Sequence, residues 1–126
     1  MNRVLHVEDE PDIREVALMA LEFVGGMTVM QAGSGLEALQ QARTFAPELI
    51  LMDVMMPGMD GPSTLAELRK SPETASIPVI FMTAKVQSQE VDRYRAMGAM
   101  DVIPKPFDPM TLPDQIREIW NRTHAA

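Results

Sequence analysis

Short apolar runs alternate with longer segments of helical spacing along the whole chain. Five runs rich in Val, Ile, Leu and Met are typical of buried strands, at residues 4–7, 27–31, 49–52, 79–82 and 100–104. Each is continuously apolar and does not alternate with polar residues. This pattern indicates a sheet that is covered by helices on both faces.

Between these runs, apolar residues recur at intervals of three and four, as on one face of a helix. The five stripes are Ile13, Val16, Ala17, Ala20, Leu21 and Val24; Leu36, Leu39, Ala42 and Phe45; Leu65 and Leu68; Val91, Tyr94 and Met97; and Leu112, Ile116, Ile119 and Trp120. Asp60 is expected to cap the third helix, with Pro62 in its first turn, and Gly98 to close the fourth. The polar residues 69–78 are expected to form a loop.

Strands that alternate with helices predict right-handed βαβ units and a parallel sheet of the α/β class. The chain has 126 residues and is 46% hydrophobic, which matches one ordinary domain with one core. We therefore expect residues 1–126 to form a single domain. An open sheet of this kind binds its ligands beyond the carboxyl ends of its strands.

Composition and charge exclude several classes of function. The formal net charge of −7 argues against a broad basic face, so we expect no direct nucleic-acid binding by these residues. The absence of cysteine excludes disulfides and thiolate metal sites. There is no apolar run of membrane-spanning length, and we expect no signal peptide. We expect a cytoplasmic protein that does not contact membranes.

Polar groups follow four of the five predicted strands. Glu8 and Asp9 follow the first, Asp53 ends the third, Thr83-Ala84 follows the fourth, and Lys105-Pro106 follows the fifth. If these strands are neighbours, the four ends converge on one small site. Carboxylates about 4 Å apart repel by roughly 4 kcal/mol at an effective dielectric of 20, so the cluster favours a bound cation. Oxygen ligands of this kind suit Mg²⁺, or alternatively Mn²⁺.

Such a site could carry phosphoryl chemistry. A carboxylate can attack a phosphoryl group and form an acyl phosphate, a step that depends on positioning and on charge neutralisation. The Thr83 hydroxyl and the backbone N–H groups after Asp53 and Thr83 could donate to phosphoryl oxygens. Each residue also has a plainer interpretation. Glu8 and Asp9 could cap the first helix, Thr83 could end a strand or cap the fourth helix, and Lys105 could be solvated.

The segments VEDEP, LILMDVMMPGMDG, VIFMTA and VIPKPF, in this order, resemble the receiver domain of two-component response regulators. The match extends from about residue 4 to residue 107. The resemblance implies a doubly wound, flavodoxin-like sheet of five parallel strands in the order 2-1-3-4-5, with helices on both faces. It also implies a phosphoprotein that promotes only its own phosphorylation and dephosphorylation and is otherwise not an enzyme.

The resemblance assigns roles to individual residues. Asp53 would accept a phosphoryl group from a histidine kinase or phosphotransfer protein. Asp9, Asp53 and the main-chain carbonyl of Met55 would bind Mg²⁺, with Glu8 assisting through a water. Thr83, the backbone of Ala84 and Lys105 would bind the phosphoryl group, with Thr83 as the switch. The Lys105-Pro106 peptide bond would be cis.

One position departs from the family pattern. Receiver domains usually carry Tyr or Phe three residues before the lysine, and that aromatic relays the movement of the threonine. Here the position is Val102, which puts the usual relay in doubt, and Tyr94 lies elsewhere, on the fourth predicted helix. The output partner is unknown, because no output domain follows the fifth helix in these residues. A weak homodimer through the face of the fourth and fifth helices stays open.

Two rival interpretations compete with a phosphoacceptor. The first is a receiver-like binding module that is never phosphorylated, although this chain keeps the acidic residues and the lysine. The second is a small phosphatase of the haloacid dehalogenase kind. That family needs a second aspartate two residues after the nucleophile, and here the position is Met55.

Overall fold

Five parallel strands form one sheet in the order β2-β1-β3-β4-β5 in the computed structural model, which describes residues 1–124. The strands are β1 (Arg3–Val7), β2 (Thr28–Ala32), β3 (Leu49–Asp53), β4 (Val79–Thr83) and β5 (Asp101–Pro104). The helices are α1 (Pro11–Met19), α2 (Gly35–Phe45), α3 (Gly61–Lys70), α4 (Ser88–Ala96) and α5 (Leu112–Thr123). The predicted doubly wound α/β fold is confirmed, with each strand within one residue of its expected bounds.

Alternate residues of the central strands supply two separate cores. On β3, Ile50 and Met52 pack into a cluster with side chains of α2, α3 and α4. Leu49 and Leu51 pack into a second cluster with side chains from the end of the first helical segment and from α5. All five residues of β3 are buried, as are all five of β4. Burial on both faces explains why these strands read as uninterrupted apolar runs.

The predicted loop at residues 69–78 is wrong at its start, because α3 continues through Lys70. The Arg69 guanidinium donates to the carbonyls of Ile77 and Gly98, at 2.9 and 3.3 Å. Basic residues in the last turn also interact favourably with the helix dipole. The Thr74 hydroxyl then donates to the Leu68 carbonyl at 2.6 Å, which closes the turn after the helix.

The first predicted helix is not regular throughout. After α1, residues Ala20–Val24 form a π-helical segment in which the Gly25 N–H donates to the Ala20 carbonyl. The wider turn breaks the 3.6-residue period, and Val24 is 45% exposed. Val16, predicted to be buried, is 43% exposed. Met97, which belongs to the predicted apolar stripe of the fourth helix, is instead the exposed C-cap of α4. We call the exposed side chains on this side of the molecule the apolar strip: Val16, Met19, Phe23, Val24 and Met110.

The turn after β3 is fixed by a close approach of α3. A Cβ atom on Gly61 would lie 2.6 Å from the Asp53 carbonyl oxygen and 2.9 Å from the Val54 Cα. Only glycine therefore allows the helix to start against the end of the strand. Asp60 caps this helix as predicted, since its carboxylate accepts from the Ser63 N–H at 2.8 Å.

Asp101 connects β5 to the helices on both sides. Its two carboxylate oxygens accept from Arg95 of α4 and Arg122 of α5, each at 2.7 Å. Its Oδ1 also accepts from the Val102 N–H at 2.8 Å. The aspartate is 8% exposed, so this charge is stabilised almost entirely by its partners. Among residues 1–124, no helix combines the length and the apolar character needed to cross a membrane.

Candidate functional site

The carboxyl ends of β1, β3, β4 and β5 surround a cleft of about 350 Å³. The order of the sheet places these four strands side by side, so that the polar groups that follow them meet at one edge. The cleft is lined by Glu10, Ile13, Asp53, Met55, Thr83, Ala84, Lys105 and Pro106. The convergence predicted from the strand ends is therefore present.

Three carboxylates form the acidic part of this site. Glu8, Asp9 and Asp53 each offer an oxygen, and these oxygens lie within 4.8 Å of one another. Glu8 is fully buried and Asp53 is 5% exposed, whereas Asp9 is partly exposed. Hard carboxylate oxygens clustered in this way suit Mg²⁺ or Mn²⁺.

The Lys105 ammonium lies between two of these carboxylates. Its Nζ is 2.9 Å from Glu8 Oε1 and 3.4 Å from Asp53 Oδ2. Burial raises the pKa of Glu8, and the charge of Asp53 adds to this, while the hydrogen bond from Lys105 opposes it. Burial disfavours the Lys105 ammonium, but the bond to Glu8 and the charge of Asp53 outweigh this and raise its pKa. One lysine thus offsets only part of the negative charge.

The residues around Asp53 offer further polar groups. The Met55 N–H donates to Asp53 Oδ1 at 3.4 Å, and the Met55 side chain is 66% exposed above the cleft. Thr83 is buried, and its hydroxyl oxygen accepts from the Lys85 N–H at 3.1 Å, which leaves the hydroxyl proton free to donate. Ala84 follows at the exposed start of the next loop. The Lys105-Pro106 peptide bond is cis.

Neither Glu8 nor Asp9 is the N-cap of α1, although Glu8 Oε2 accepts a hydrogen bond from the Glu10 N–H at 3.3 Å. The N-cap of α1 is Glu10, and it makes no side-chain capping bond. Glu8 instead pairs with Lys105, and Asp9 lies in the acidic cluster. Lys105 is likewise ion-paired and is not simply solvated.

The sequence pattern of the response regulator receiver domain family matches residues 4–117. The chain belongs to this family. The receiver domain is 35% identical over 123 residues to the DNA-binding dual master transcriptional regulator RpaA of Synechocystis, covering 98% of this chain and 51% of that protein. It is 38% identical over 122 residues to the phosphate regulon transcriptional regulatory protein PhoB of Escherichia coli, covering 95% and 52%. The chain thus spans about half the length of these curated relatives.

Solved structures of the family have the same fold. The chemotaxis protein CheY4 of Vibrio cholerae superposes with a TM-score of 0.86 at 29% identity, covering 94% of this chain and 98% of that one. The N-terminal domain of a response regulator receiver protein from Methanoculleus marisnigri superposes with a TM-score of 0.73 at 34% identity, covering 98% and 96%.

The surroundings of Val102 differ from the expected relay. Val102 is half-buried on β5 and lies opposite Phe81 of β4. Phe81 in turn meets the ring of Tyr94 edge to face, at 5.3 Å between centroids. Tyr94 is 3% exposed, so the buried tyrosine ring in this part of the receiver domain belongs to α4 and not to β5.

Two residues near the site were not identified from the sequence. The Arg14 side chain of α1 donates to the main-chain carbonyls of Glu8 and Asp9. His6 lies two residues before Glu8 on β1, and its Nε2 is buried without a partner in the described chain. Burial, together with the charges of Lys105 and Arg14, lowers the pKa of His6 to about 4. Arginine is common one turn into a helix, so its presence at position 14 did not indicate a role at the site.

Proposed function

We propose that this receiver domain accepts a phosphoryl group on Asp53 and so acts as a phosphoacceptor in two-component signalling. The observation that carries the proposal is the arrangement at the strand ends. A carboxylate that is 5% exposed lies within 4.8 Å of two further carboxylates and 3.4 Å from an ammonium. Each group has a part in the transfer, and one lysine offsets only part of the charge of the three carboxylates, an arrangement typical of functional sites.

In the transfer, an Asp53 carboxylate oxygen attacks phosphorus and forms an acyl phosphate. The bond from phosphorus to the donor's histidine nitrogen breaks, and its electron pair stays on the imidazole. In the second step of the cycle, water attacks phosphorus, and the bond to Asp53 breaks to give inorganic phosphate and the free carboxylate. We propose no other turnover by this domain.

Asp9, Asp53 and the main-chain carbonyl of Met55 are the proposed Mg²⁺ ligands, with Glu8 acting through a water. The donor set fits this ion, because every ligand is an oxygen and two of the carboxylates are partly or almost fully buried. When bound, Mg²⁺ neutralises the charge that gathers on the phosphoryl oxygens.

On the other side of the cleft, three groups are proposed to hold the phosphoryl oxygens. Thr83, which supplies a hydroxyl, ends β4 and is followed by the Ala84 N–H, and Lys105 follows β5. Lys105 is already 3.4 Å from Asp53, so only a small movement from Glu8 brings it to the phosphoryl group. These donors would stabilise the negative charge on the phosphoryl oxygens.

The proposed phosphoryl donor is a histidine kinase or phosphotransfer protein. An apolar groove of about 260 Å³, between α1 and the segment after β5, adjoins the cleft and shares Ile13, Lys105 and Pro106 with it. The groove continues along Val16 into the apolar strip. A donor helix seated there would bring its histidine to the mouth of the cleft. Such a partner implies a cytoplasmic location, and the output partner or attached output domain is not identified.

Phosphorylation is proposed to shift an existing balance of conformations at α4 and β5. Thr83 ends β4, and the exposed residues 84–87 lead directly into α4. Because Val102 replaces the usual aromatic, we expect a smaller change than in other receiver domains. Amide exchange across residues 85–98 should change when a phosphoryl mimic binds, and unchanged exchange would contradict this part of the proposal.

The primary test is intact mass after incubation with Mg²⁺ and acetyl phosphate. We expect a single phosphoryl adduct on the native chain, and none in the Asp53→Asn variant or when EDTA removes the metal. The Asp60→Asn variant is the matched control, since Asp60 lies in the same loop and only caps α3. Folded native protein without an adduct would instead favour the binding module that is never phosphorylated, which no feature of the site supports.

A further inference from the structure

One arginine contacts the backbone of the loop that carries two of the three site carboxylates. Arg14 Nη1 donates to the Glu8 carbonyl at 2.8 Å and to the Asp9 carbonyl at 3.2 Å. Both residues lie between the end of β1 and the start of α1, and the Glu8 N–H donates to the Ala32 carbonyl of β2 at 3.0 Å. Among residues 1–124, no backbone N–H donates to either carbonyl. Arg14 therefore supplies hydrogen bonds that this turn cannot make for itself.

The arginine is itself fixed from both sides. Its carbonyl accepts from Gln31 Nε2 of β2 at 2.7 Å, and its N–H donates to the Glu10 carbonyl at 3.0 Å. Gly33 follows β2 directly beside the guanidinium, and a Cβ there would lie 3.1 Å from Arg14 Nη1. A side chain at position 33 would therefore require the guanidinium to shift by a few tenths of an ångström.

We propose that Arg14 is a positioning residue for the metal site. By holding two successive carbonyls, it fixes the backbone from which the Glu8 and Asp9 carboxylates extend into the cluster. Its guanidinium donates to main-chain carbonyls and does not itself supply a metal ligand. The inference deepens the proposed function, because it rests on the same acidic cluster binding Mg²⁺.

An electrostatic role and a positioning role of Arg14 predict opposite changes in Mg²⁺ affinity when the residue is replaced. Arg14 is a cation near a site for a divalent cation, so its removal should strengthen Mg²⁺ binding if only electrostatics mattered. If Arg14 instead orders the loop, its removal should weaken Mg²⁺ binding although a positive charge has been lost. The sign of the change in affinity therefore separates the two roles.

The test is the Mg²⁺ dissociation constant from isothermal titration calorimetry, at a temperature where every variant is folded by circular dichroism. We expect Arg14→Met to weaken Mg²⁺ binding about tenfold, the lower end of the range for residues that orient metal ligands. The Arg14→Lys variant keeps the charge but loses the planar guanidinium. Its Mg²⁺ affinity should lie between those of the native chain and Arg14→Met. In EDTA, the amides of residues 8–10 should exchange faster in Arg14→Met than in the native chain.

Arg117→Met is the matched control. The Arg117 side chain makes the same kind of contact from a helix to a loop carbonyl, at 2.5 Å from Gly25, after the opposite end of the first helical segment. We expect this variant to keep the native Mg²⁺ affinity. The control thereby accounts for the loss of one positive charge and of one helix-to-loop hydrogen bond.

Unchanged or tighter Mg²⁺ binding in Arg14→Met would overturn the inference, even if its melting temperature falls. The result is separable from the proposed function. Native protein that binds Mg²⁺ but forms no adduct would contradict phosphorylation and leave the role of Arg14 intact. An adduct on Asp53 combined with native metal affinity in Arg14→Met would support phosphorylation and contradict the role of Arg14.

Discussion

Replacing Asp53 with Asn is expected to stabilise the metal-free protein. The Asp53 carboxylate lies within 4.8 Å of those of Glu8 and Asp9, so each repulsion is about 3.5 kcal/mol at an effective dielectric of ~20. The attraction to Lys105 at 3.4 Å is about 5 kcal/mol on the same scale. The two repulsions together exceed the one attraction. Solvent around the partly exposed Asp9 reduces the net gain to about 1–2 kcal/mol.

The assay is thermal unfolding in EDTA, where this gain should raise the Tm of Asp53→Asn by about 4–8 °C. Asp60→Asn again serves as the control for loss of one negative charge. Asn caps a helix as well as Asp does, so its Tm should stay close to the native value. Added Mg²⁺ should stabilise the native chain more than Asp53→Asn, because only the native chain keeps all three carboxylates.

A lower Tm for Asp53→Asn than for the native chain in EDTA would refute the reasoning. It would mean that the ion pair with Lys105 outweighs the repulsion within the acidic cluster. A rise equal to that of Asp60→Asn would also count against it, because the effect would then come from the net charge of −7 and not from the site.

Three further predictions concern the scaffold around the site. Gly61→Ala should lower the free energy of unfolding by about 3 kcal/mol in urea titrations, because its Cβ would lie 2.6 Å from the Asp53 carbonyl oxygen. Tyr94→Ala should cost about 3–5 kcal/mol, whereas Tyr94→Phe should cost under about 1 kcal/mol, since within residues 1–124 the hydroxyl accepts a hydrogen bond only from Arg93, at 3.3 Å. The pKa of His6 falls from 6.5 to about 4 on folding, so the fold favours the neutral ring and loses stability as the pH falls through this window. Between pH 7 and pH 5 in EDTA the native chain should therefore lose about 2 kcal/mol more than His6→Leu, and an equal loss would contradict the assignment.

The sheet and the ends of its strands could be predicted because burial on both faces leaves a local signal. β3 and β4 appear as apolar runs, and Asp53 and Thr83 stand out where those runs end. Parallel pairing then brings these ends to one edge whatever the details of the loops. The resemblance to receiver domains supplied the order of the strands, which spacing alone does not determine.

What could not be predicted depends on contacts between distant parts of the chain. The sheet brings Glu8 and Lys105 to one edge although they are 97 residues apart, but no local pattern indicates which carboxylate the lysine pairs with. The junction of α1 with the π-helical segment differs by one hydrogen-bond register from a regular helix, a small energy difference that apolar spacing does not record. No sequence pattern around Asp101 predicts that its carboxylate pairs with both Arg95 and Arg122.

The burial of Tyr94 in α4 has a practical consequence for spectroscopy. The chain contains one tyrosine and one tryptophan. The tyrosine packs edge to face on Phe81 beneath α4, while Trp120 of α5 stacks on His124 at 3.9 Å. Near-ultraviolet circular dichroism of the unmodified chain therefore contains one tyrosine signal from α4 and one tryptophan signal from α5. Tyr94 therefore reports on α4 and Trp120 on α5, and a displacement of α4 can be followed by the tyrosine signal without a label.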